Sequence, residues 1–273
     1  MVPVKGIFGK IVGTLTALLG LMVLFGAGYL YLTPTPQGFP ILEYHMVCSG
    51  EIEPEETAYN VPPEDFREEL AYLQREGYTT ISLLEYMKAK RGKLTLPEKP
   101  IVLTFDDGYA DNYYEMLPII EEYGMKATVY MVTNNIGQPR YLTWDELRDM
   151  QRRGIEIGSH TANHIPLTAL SPEDRRDEVY LSKLLMEWNG IDTVFSLSYP
   201  NGAYDDTLPE LLKENEYLTA VTGDGGLNTM ETNPYLLQRV NIPCPHFGLT
   251  EFKFRLWKAE AMAKLGIWQH RER

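Results

Sequence analysis

Eight short apolar runs, separated by stretches with helical spacing, constrain the fold of this chain more than any other feature. Most are continuous apolar runs rather than alternating ones, which is typical of strands covered on both faces. They are ILEYHMV (41–47), YTTIS (78–82), IVLTF (101–105), ATVYMV (127–132), IEIGS (155–159), VFSLSYP (194–200), LTAVTG (218–223) and RVNIP (239–243). Strands that alternate with helices form a parallel sheet, and about eight such units favour a deformed (β/α) barrel of the α/β class.

The helices between these strands have recognisable starts and ends. The segment 62–78 carries apolar residues at helical spacing and finishes at a glycine. Thr143 with Glu146 three positions later predicts a capping box, and Ser171 before a proline predicts another helix start. The segment 251–273 predicts a last amphipathic helix that packs on the barrel.

An uncharged apolar stretch precedes the first strand. Residues 11–32 contain no charged side chain, and a helix of this length spans the hydrocarbon core of a bilayer. Lys5 and Lys10 lie before the stretch, whereas its far flank carries no positive charge. The positive-inside rule therefore predicts a cytoplasmic N-terminus and an extracytoplasmic domain after Thr33. The alternative is a cleaved signal peptide, which would export and release the same domain.

The chain accordingly divides into three parts. Residues 1–33 are expected to form a cytoplasmic tip and a transmembrane signal-anchor, 34–38 a proline-containing linker, and 39–273 one domain that includes the C-terminal helix. Barrel domains commonly contain about 200–250 residues, so a single domain accounts for the remaining length. Cys48 and Cys244 would be free to pair outside the cell, but two unrelated small buried residues fit the sequence equally well.

The charge balance restricts the partners. The chain has 25 Lys and Arg against 38 Asp and Glu, a net charge of −13. Nucleic acids require a basic surface, so this balance argues against them and favours a neutral or cationic polymer. No protein partner follows from the sequence.

Polar residues concentrate where predicted strands end, which is where parallel barrels place their active sites. Asp106 and Asp107 follow one strand, and His160 and His164 follow another. Adjacent carboxylates point in different directions, so one can bind a cation while the other handles protons. Two imidazoles four residues apart can converge on the same ion, and two His with one carboxylate leave positions open, as in catalytic metal sites. A third strand ends in the turn 198–206, whose backbone N–H groups can point into the site.

LTFDDGY, GSHTANH and SYPNGAYD, in this order, resemble the polysaccharide deacetylase family (carbohydrate esterase family four, the NodB-homology domain) over about residues 39–245. The resemblance implies a metal-dependent hydrolase that removes N- or O-acetyl groups from sugars. It implies Asp106 as general base and the backbone N–H of Asn201 as an oxyanion donor. The implied ligands of one divalent ion, Zn²⁺ or else Co²⁺, Ni²⁺ or Mn²⁺, are Asp107, His160 and His164.

The sequence departs from the family pattern at two places. Many members carry an Arg at the start of the third motif, where this chain has Ser198; Arg239 is a candidate substitute across the barrel, or else a structural residue. The late segment that supplies the general acid is also absent. His246 is one candidate for that acid. The preferred one is His45, because LEYHMV resembles the first strand of a circularly permuted subgroup, the poly-N-acetylglucosamine deacetylases, against the alternative of a core imidazole.

These features predict a membrane-anchored, extracytoplasmic enzyme that removes N-acetyl groups from a polysaccharide containing N-acetylglucosamine. The alternatives are an O-acetyl esterase acting on a glycan such as xylan, and a carbohydrate-binding pseudoenzyme of the cell envelope. Side chains near the strand ends are expected to contact the sugar: Tyr109, Tyr113, Tyr199, Pro200, Tyr204 and Arg239.

Overall fold

The computed structural model describes residues 4–34 and 38–267, which form eight β-strands and eight α-helices. The strands are Ile41–Tyr44 (β1), Thr79–Thr80 (β2), Pro100–Phe105 (β3), Thr128–Met131 (β4), Glu156–Ser159 (β5), Ser196–Ser198 (β6), Thr219–Val221 (β7) and Val240–Asn241 (β8). The helices are Val4–Leu32 (α1), Pro63–Arg75 (α2), Leu83–Lys90 (α3), Leu117–Glu122 (α4), Trp144–Arg152 (α5), Pro172–Trp188 (α6), Leu208–Glu214 (α7) and Leu249–Leu265 (α8).

The strands form one parallel sheet in the order β7-β6-β5-β4-β3-β1-β8. The sheet curls far enough for side chains to meet across its inside: the Tyr130 hydroxyl of β4 bonds Ser196 Oγ of β6 at 2.6 Å, with β5 between them. Gly158 of β5 makes this contact possible, because a Cβ there would lie 2.5 Å from the Tyr130 ring. A bridge between Val221 of β7 and Leu237, which precedes β8, narrows the gap between the two end strands of the sheet. The predicted deformed barrel of parallel strands is confirmed.

One strand differs from a simple eight-unit barrel. β2 contains two residues and pairs with the start of β3, while β1 pairs with β3 directly along Ile41–Tyr44. β2 therefore lies outside the main path of the sheet.

Helices bury their apolar sides against the sheet: α2 and α8 pack in the main core, whereas α3 packs in a second buried cluster with Val102 and Tyr130. In α2 the fully buried residues are Phe66, Leu70 and Leu73. The capping box at Thr143 and the N-cap at Ser171 are both present, so these predicted helix starts are confirmed. Cys48 and Cys244 are free thiols.

The two terminal helices contact each other. Within the described part of the chain, α1 has one segment, Val12–Leu32, that is long and apolar enough to cross a membrane, as a span or as a signal sequence. The Lys264 ammonium of α8 donates to the Leu30 carbonyl at 3.0 Å, so α1 is not separate from the domain. The core of the predicted linker, 35–37, and the end of the predicted last helix, 268–273, lie outside the described residues.

Candidate active site

The predicted histidines and aspartates of three strand ends lie at one edge of the sheet. His45 follows β1, Asp106 follows β3 and His160 follows β5. Their strands run parallel, so their carboxyl ends meet at the same edge. The separated sequence motifs are therefore brought together by the topology.

Three side chains form a group that can hold a cation. Asp107 Oδ1 lies 3.5 Å from His160 Nε2 and 3.6 Å from His164 Nε2, and the three ligand atoms lie within 4.8 Å of one another. Burial, followed by the neighbouring His160, lowers the pKa of His164, which favours the neutral imidazole that binds metals. His160 Nδ1 lies 2.8 Å from the Ser198 carbonyl, which leaves Nε2 directed toward Asp107. Two imidazoles and one carboxylate suit a zinc-like divalent ion.

An unusual backbone conformation places Asp107, one of the candidate ligands. Asp107 has φ 72° and the following Gly108 has φ 74°. A Cβ on Gly108 would lie 2.0 Å from Met131 Sδ, so the turn favours glycine at this position. A left-handed aspartate is strained, and such strain concentrates at functional sites.

The loop that carries the two histidines is held by α6. The Glu178 carboxylate accepts hydrogen bonds from the backbone N–H groups of Ala162 and Asn163, each at 2.9 Å. The His164 N–H donates to Thr161 Oγ1 at 3.1 Å. Sequence reasoning missed Glu178, because an acidic residue inside a helix carries no local sign of binding a loop.

Asp106 lies beside the cation group and is paired with a buried arginine. Arg239 donates from both terminal nitrogens to the two Asp106 oxygens at 2.8 Å each, and Ser198 Oγ donates at 3.0 Å. Burial alone would raise the pKa of Asp106, but the charge of Arg239, and then that of His160, holds it well below its ordinary value. The carboxylate is thus ionised and fixed in orientation.

Arg239 was predicted both as a substrate contact and as a substitute for the orienting arginine of the family. Its side chain is buried, and its predicted contact with the substrate stays a prediction. Arg239 extends from the start of β8 to Asp106 and lies where an arginine that orients this carboxylate would act.

Glu43 of β1 is a second buried carboxylate in the site. Its Oε1 lies 3.3 Å from Arg239 Nη2, and it forms a group with His45 and Asp106 whose ligand atoms lie within 4.8 Å of one another. Sequence reasoning missed Glu43. The available signal was its spacing of two from His45, which places both side chains on one face of the strand.

His45 is half-buried at the end of β1. Its ring packs against Tyr59 at a centroid distance of 4.9 Å, and its carbonyl accepts from Asn112 Nδ2 at 3.0 Å. The competing candidate, His246, is exposed before α8, where its backbone N–H donates to Glu251 at 3.0 Å. Among the described residues, the structure brings His45 rather than His246 into a group with Asp106.

The turn after β6 differs from expectation for its aromatic residues. Tyr199, Pro200 and Tyr204 are buried, so they expose little surface in this structure. Tyr199 donates to the Tyr235 carbonyl and Tyr204 to Asp224 Oδ2. Substrate contact by these three residues stays a prediction, and in this structure the turn directs their side chains toward the core.

Three other predicted residues occupy different surroundings. Asn201 is exposed in the same turn with φ 57°, at the carboxyl end of β6. Tyr109 is largely buried and stacks on Tyr141 at 5.4 Å. Tyr113 bonds Asp149 of α5 at 3.0 Å instead of a site residue.

Several known proteins are similar to this chain in sequence or in structure. Residues 93–220 match the family model described as polysaccharide deacetylase. YxkH of Bacillus subtilis, which is named as a member of that family, is 32% identical over 210 residues, covering 77% of this chain and 73% of YxkH. The poly-beta-1,6-N-acetyl-D-glucosamine N-deacetylase of Staphylococcus epidermidis is 24% identical over 221 residues, covering 74% and 73%. The solved Streptococcus pyogenes deacetylase PplD, in complex with acetate, has a TM-score of 0.72 and 28% identity over 80% of this chain and 98% of its own.

Proposed function

Because this chain belongs to the polysaccharide deacetylase family, we propose that it removes N-acetyl groups from a polysaccharide containing N-acetylglucosamine. One observation carries the proposal. An oriented, ionised carboxylate, Asp106, lies at the same strand edge as a cation group made of Asp107, His160 and His164. Amide hydrolysis needs both a base and electrophilic activation, and this edge offers residues for each.

Asp107, His160 and His164 would hold a divalent ion. When bound, such an ion supplies Lewis-acid polarisation of a carbonyl and makes water more acidic. The nitrogen and oxygen donors, and the lowered pKa of His164, fit a zinc-like ion; Co²⁺, Ni²⁺ and Mn²⁺ accept the same donors.

The remaining steps belong to side-chain and backbone groups of this chain. Asp106 takes a proton from the attacking water as general base, and Arg239 keeps its carboxylate aimed. The backbone N–H of Asn201 donates to the oxyanion. His45 gives a proton to the leaving amine, and acetate and the free amino sugar are released.

We further propose that the reaction takes place outside the cytoplasm, with α1 as an uncleaved anchor. Supporting this, Val12–Leu32 is long and apolar enough to cross a membrane, and Lys5 and Lys10 precede it. A secreted form after cleavage of a signal peptide is the alternative, and the mass of the mature chain distinguishes the two.

The proposal is tested by variants of the cation group in the full chain. Asp107→Asn and His160→Gln are expected to lose the bound ion and to slow acetate release from chito-oligosaccharides by more than about 100-fold, because Lewis-acid activation contributes several kcal/mol. His246→Gln, a change at an exposed histidine, is the matched control and keeps both properties.

The substrates decide among the alternatives. Chito-oligosaccharides, peptidoglycan and acetylated xylan are compared with and without a chelator. Faster acetate release from xylan would indicate an O-acetyl esterase. Sugar binding without acetate release from any substrate would indicate a pseudoenzyme and overturn the proposal.

A further inference from the structure

The outer side of α8 exposes a stripe of large apolar residues. Phe254 and Trp257 are 55% and 54% exposed, and Leu265 is 46% exposed. Positions 254, 257 and 265 fall on one side of a helix. The rings of Phe254 and Trp257 lie 5.6 Å apart, so they form a continuous aromatic patch.

The opposite side of α8 already has its partners. Phe252, Leu256 and Ala259 are buried and belong to the main core of the domain. The outer stripe is therefore not needed to attach the helix to the barrel. Together, Phe254, Trp257 and Leu265 form what we name the α8 stripe.

The α8 stripe is continuous with the proposed membrane anchor. Lys264 of α8 bonds the Leu30 carbonyl near the end of α1, so the last turns of α8 lie at the outer end of the apolar segment. Tyr29 and Tyr31 of α1 are exposed at the same level. Tyrosine and tryptophan at the end of a span are typical of the membrane–water interface.

The charge of α8 is opposite to that of the whole chain. The helix has four basic residues and two acidic ones, whereas the chain has a net charge of −13. Lys253 and Lys258 lie on or beside the α8 stripe. Aromatic residues flanked by lysines suit a surface of anionic phospholipid, where each lysine contributes about 1 kcal/mol.

We propose that the α8 stripe lies in the headgroup layer of the membrane and docks the barrel sideways on the lipid surface. The proposal rests on the part of the proposed function that places α1 in the bilayer. Trp257 is seven residues from Lys264, about 10 Å along a helix, whereas the headgroup layer is only about 5–7 Å deep. The helix must therefore lie oblique or flat on the membrane for Trp257 to reach lipid.

This orientation has a consequence for the substrate. α8 follows β8, starting from the carboxyl edge of the sheet that carries the active site, and it ends at the anchor. With α8 on the lipid, the active-site edge opens along the membrane surface. The polymer reached by the enzyme is then one that lies against the membrane, not one held far out in the envelope.

The test is fluorescence quenching in the full chain. The protein is reconstituted in vesicles of phosphatidylcholine and phosphatidylglycerol that contain a lipid spin-labelled at the headgroup. The chain has four tryptophans, and all variants carry Trp268→Phe so that the residue beyond the described helix does not contribute. Trp257→Phe is expected to lose most of the lipid-dependent quenching. Trp188→Phe is the matched control, because Trp188 is 81% exposed on α6, which follows β5 on the other side of the barrel.

A second variant keeps Trp257 and changes only charge. Lys253→Glu with Lys258→Glu is expected to weaken the quenching of Trp257 in anionic vesicles. Acetate release from a soluble chito-oligosaccharide should be unchanged in all these variants, since none lies in the active site; this readout separates a failed fold from a failed docking.

Four outcomes would overturn the proposal. The first two are lipid-dependent quenching that is unchanged in Trp257→Phe, and a loss of quenching in Trp188→Phe as large as that in Trp257→Phe. The third is cross-linking of two chains through Lys253 while Trp257 is inaccessible to lipid, which would mean that a second copy covers the α8 stripe. The fourth is protein that does not float with the vesicles. The last would also overturn the anchor. Absence of acetate release in the wild-type chain would overturn the proposed function alone, because quenching does not require activity.

Discussion

One buried guanidinium, Arg239, pairs with two buried carboxylates in this molecule. It bonds Asp106 through two nitrogens and lies 3.3 Å from Glu43. Buried charges are tolerated only when they are paired and hydrogen-bonded, and removing one partner costs about 3–5 kcal/mol. Arg239 therefore links Asp106, the predicted base, to β1, the strand that carries His45.

A residue-scale prediction concerns His45. His45→Gln is expected to retain the bound ion, because the glutamine leaves Asp107, His160 and His164 unchanged, but to slow N-acetyl hydrolysis by roughly 10²–10⁴-fold. An activated aryl acetate should be hydrolysed at nearly the same rate, since its leaving group needs no proton. Acetate release from both substrates is measured beside metal content.

The matched control for this prediction is His246→Gln, which should leave both rates unchanged. If N-acetyl turnover survives in His45→Gln, His45 is a packing residue against Tyr59 and the acid lies elsewhere.

The site residues that the sequence predicted are those that follow a strand directly. Asp106, Asp107, His160 and His164 follow their strands directly, so topology alone predicts that they meet; their roles stay predictions. Glu43 and Glu178 were missed because they act across strands or from a helix on a loop. The burial of the aromatic residues of the β6 turn was not predicted, because local sequence does not tell which way a turn directs its side chains.

At the scale of elements, α6 controls the loop that carries two predicted ligands. Glu178→Gln weakens the acceptor of the Ala162 and Asn163 N–H groups and is expected to lower metal affinity about 10–100-fold, as loss of an outer partner typically does. Metal titration of the metal-stripped chain measures this. Asp177→Asn, on an exposed position of the same helix, should leave the affinity unchanged; an equal loss there would mean that α6 charge alone is responsible.

The contact between α2 and β1 contains a buried carboxyl group, Glu69, whose pKa is raised. Burial raises the pKa of Glu69 to about 8, and the Tyr44 hydroxyl donates to it at 2.8 Å. The folded protein therefore keeps a proton that the unfolded chain loses near pH 4.5, so stability falls as pH rises from about 4.5 to about 8.

Glu69→Gln is expected to remove this fall. In the native chain the free energy of unfolding should be lower at pH 9 than at pH 5 by a few kcal/mol, and in the variant this difference should disappear. Thermal unfolding of the full chain in detergent at the two pH values measures it. Glu68→Gln is the control, because Glu68 is exposed on the same helix. A native chain with equal stability at both pH values would contradict the assignment.

All eight predicted strands are present, and the capped helix starts are correct, because apolar runs and caps are local signals. The pairing of β1 with β3 around β2 was not predicted. Strand neighbours depend on contacts between distant segments, and a two-residue strand such as β2 carries too little pattern to indicate its place.

The whole molecule combines an acidic domain with an apolar N-terminal helix. The chain has a net charge of −13, whereas the product of the proposed reaction would carry positively charged ammonium groups. A fully acetylated polymer is neutral and gains nothing from this field, whereas a partly deacetylated one is attracted to it. Under the proposed function, charge is therefore expected to affect substrate binding only after the first acetyl groups have been removed.

The last prediction concerns salt. Raising the ionic strength from about 0.01 M to about 0.15 M shortens the Debye length from about 30 Å to about 8 Å, which screens most of the long-range attraction. For partly deacetylated chito-oligosaccharides at mildly acid pH, KM is expected to rise a few-fold, within about 10-fold, while kcat stays constant. Fully acetylated oligomers of equal length are the control and should show no change in KM. If both substrates respond equally, salt acts on the protein itself, and the acidic surface has no part in attracting the polymer.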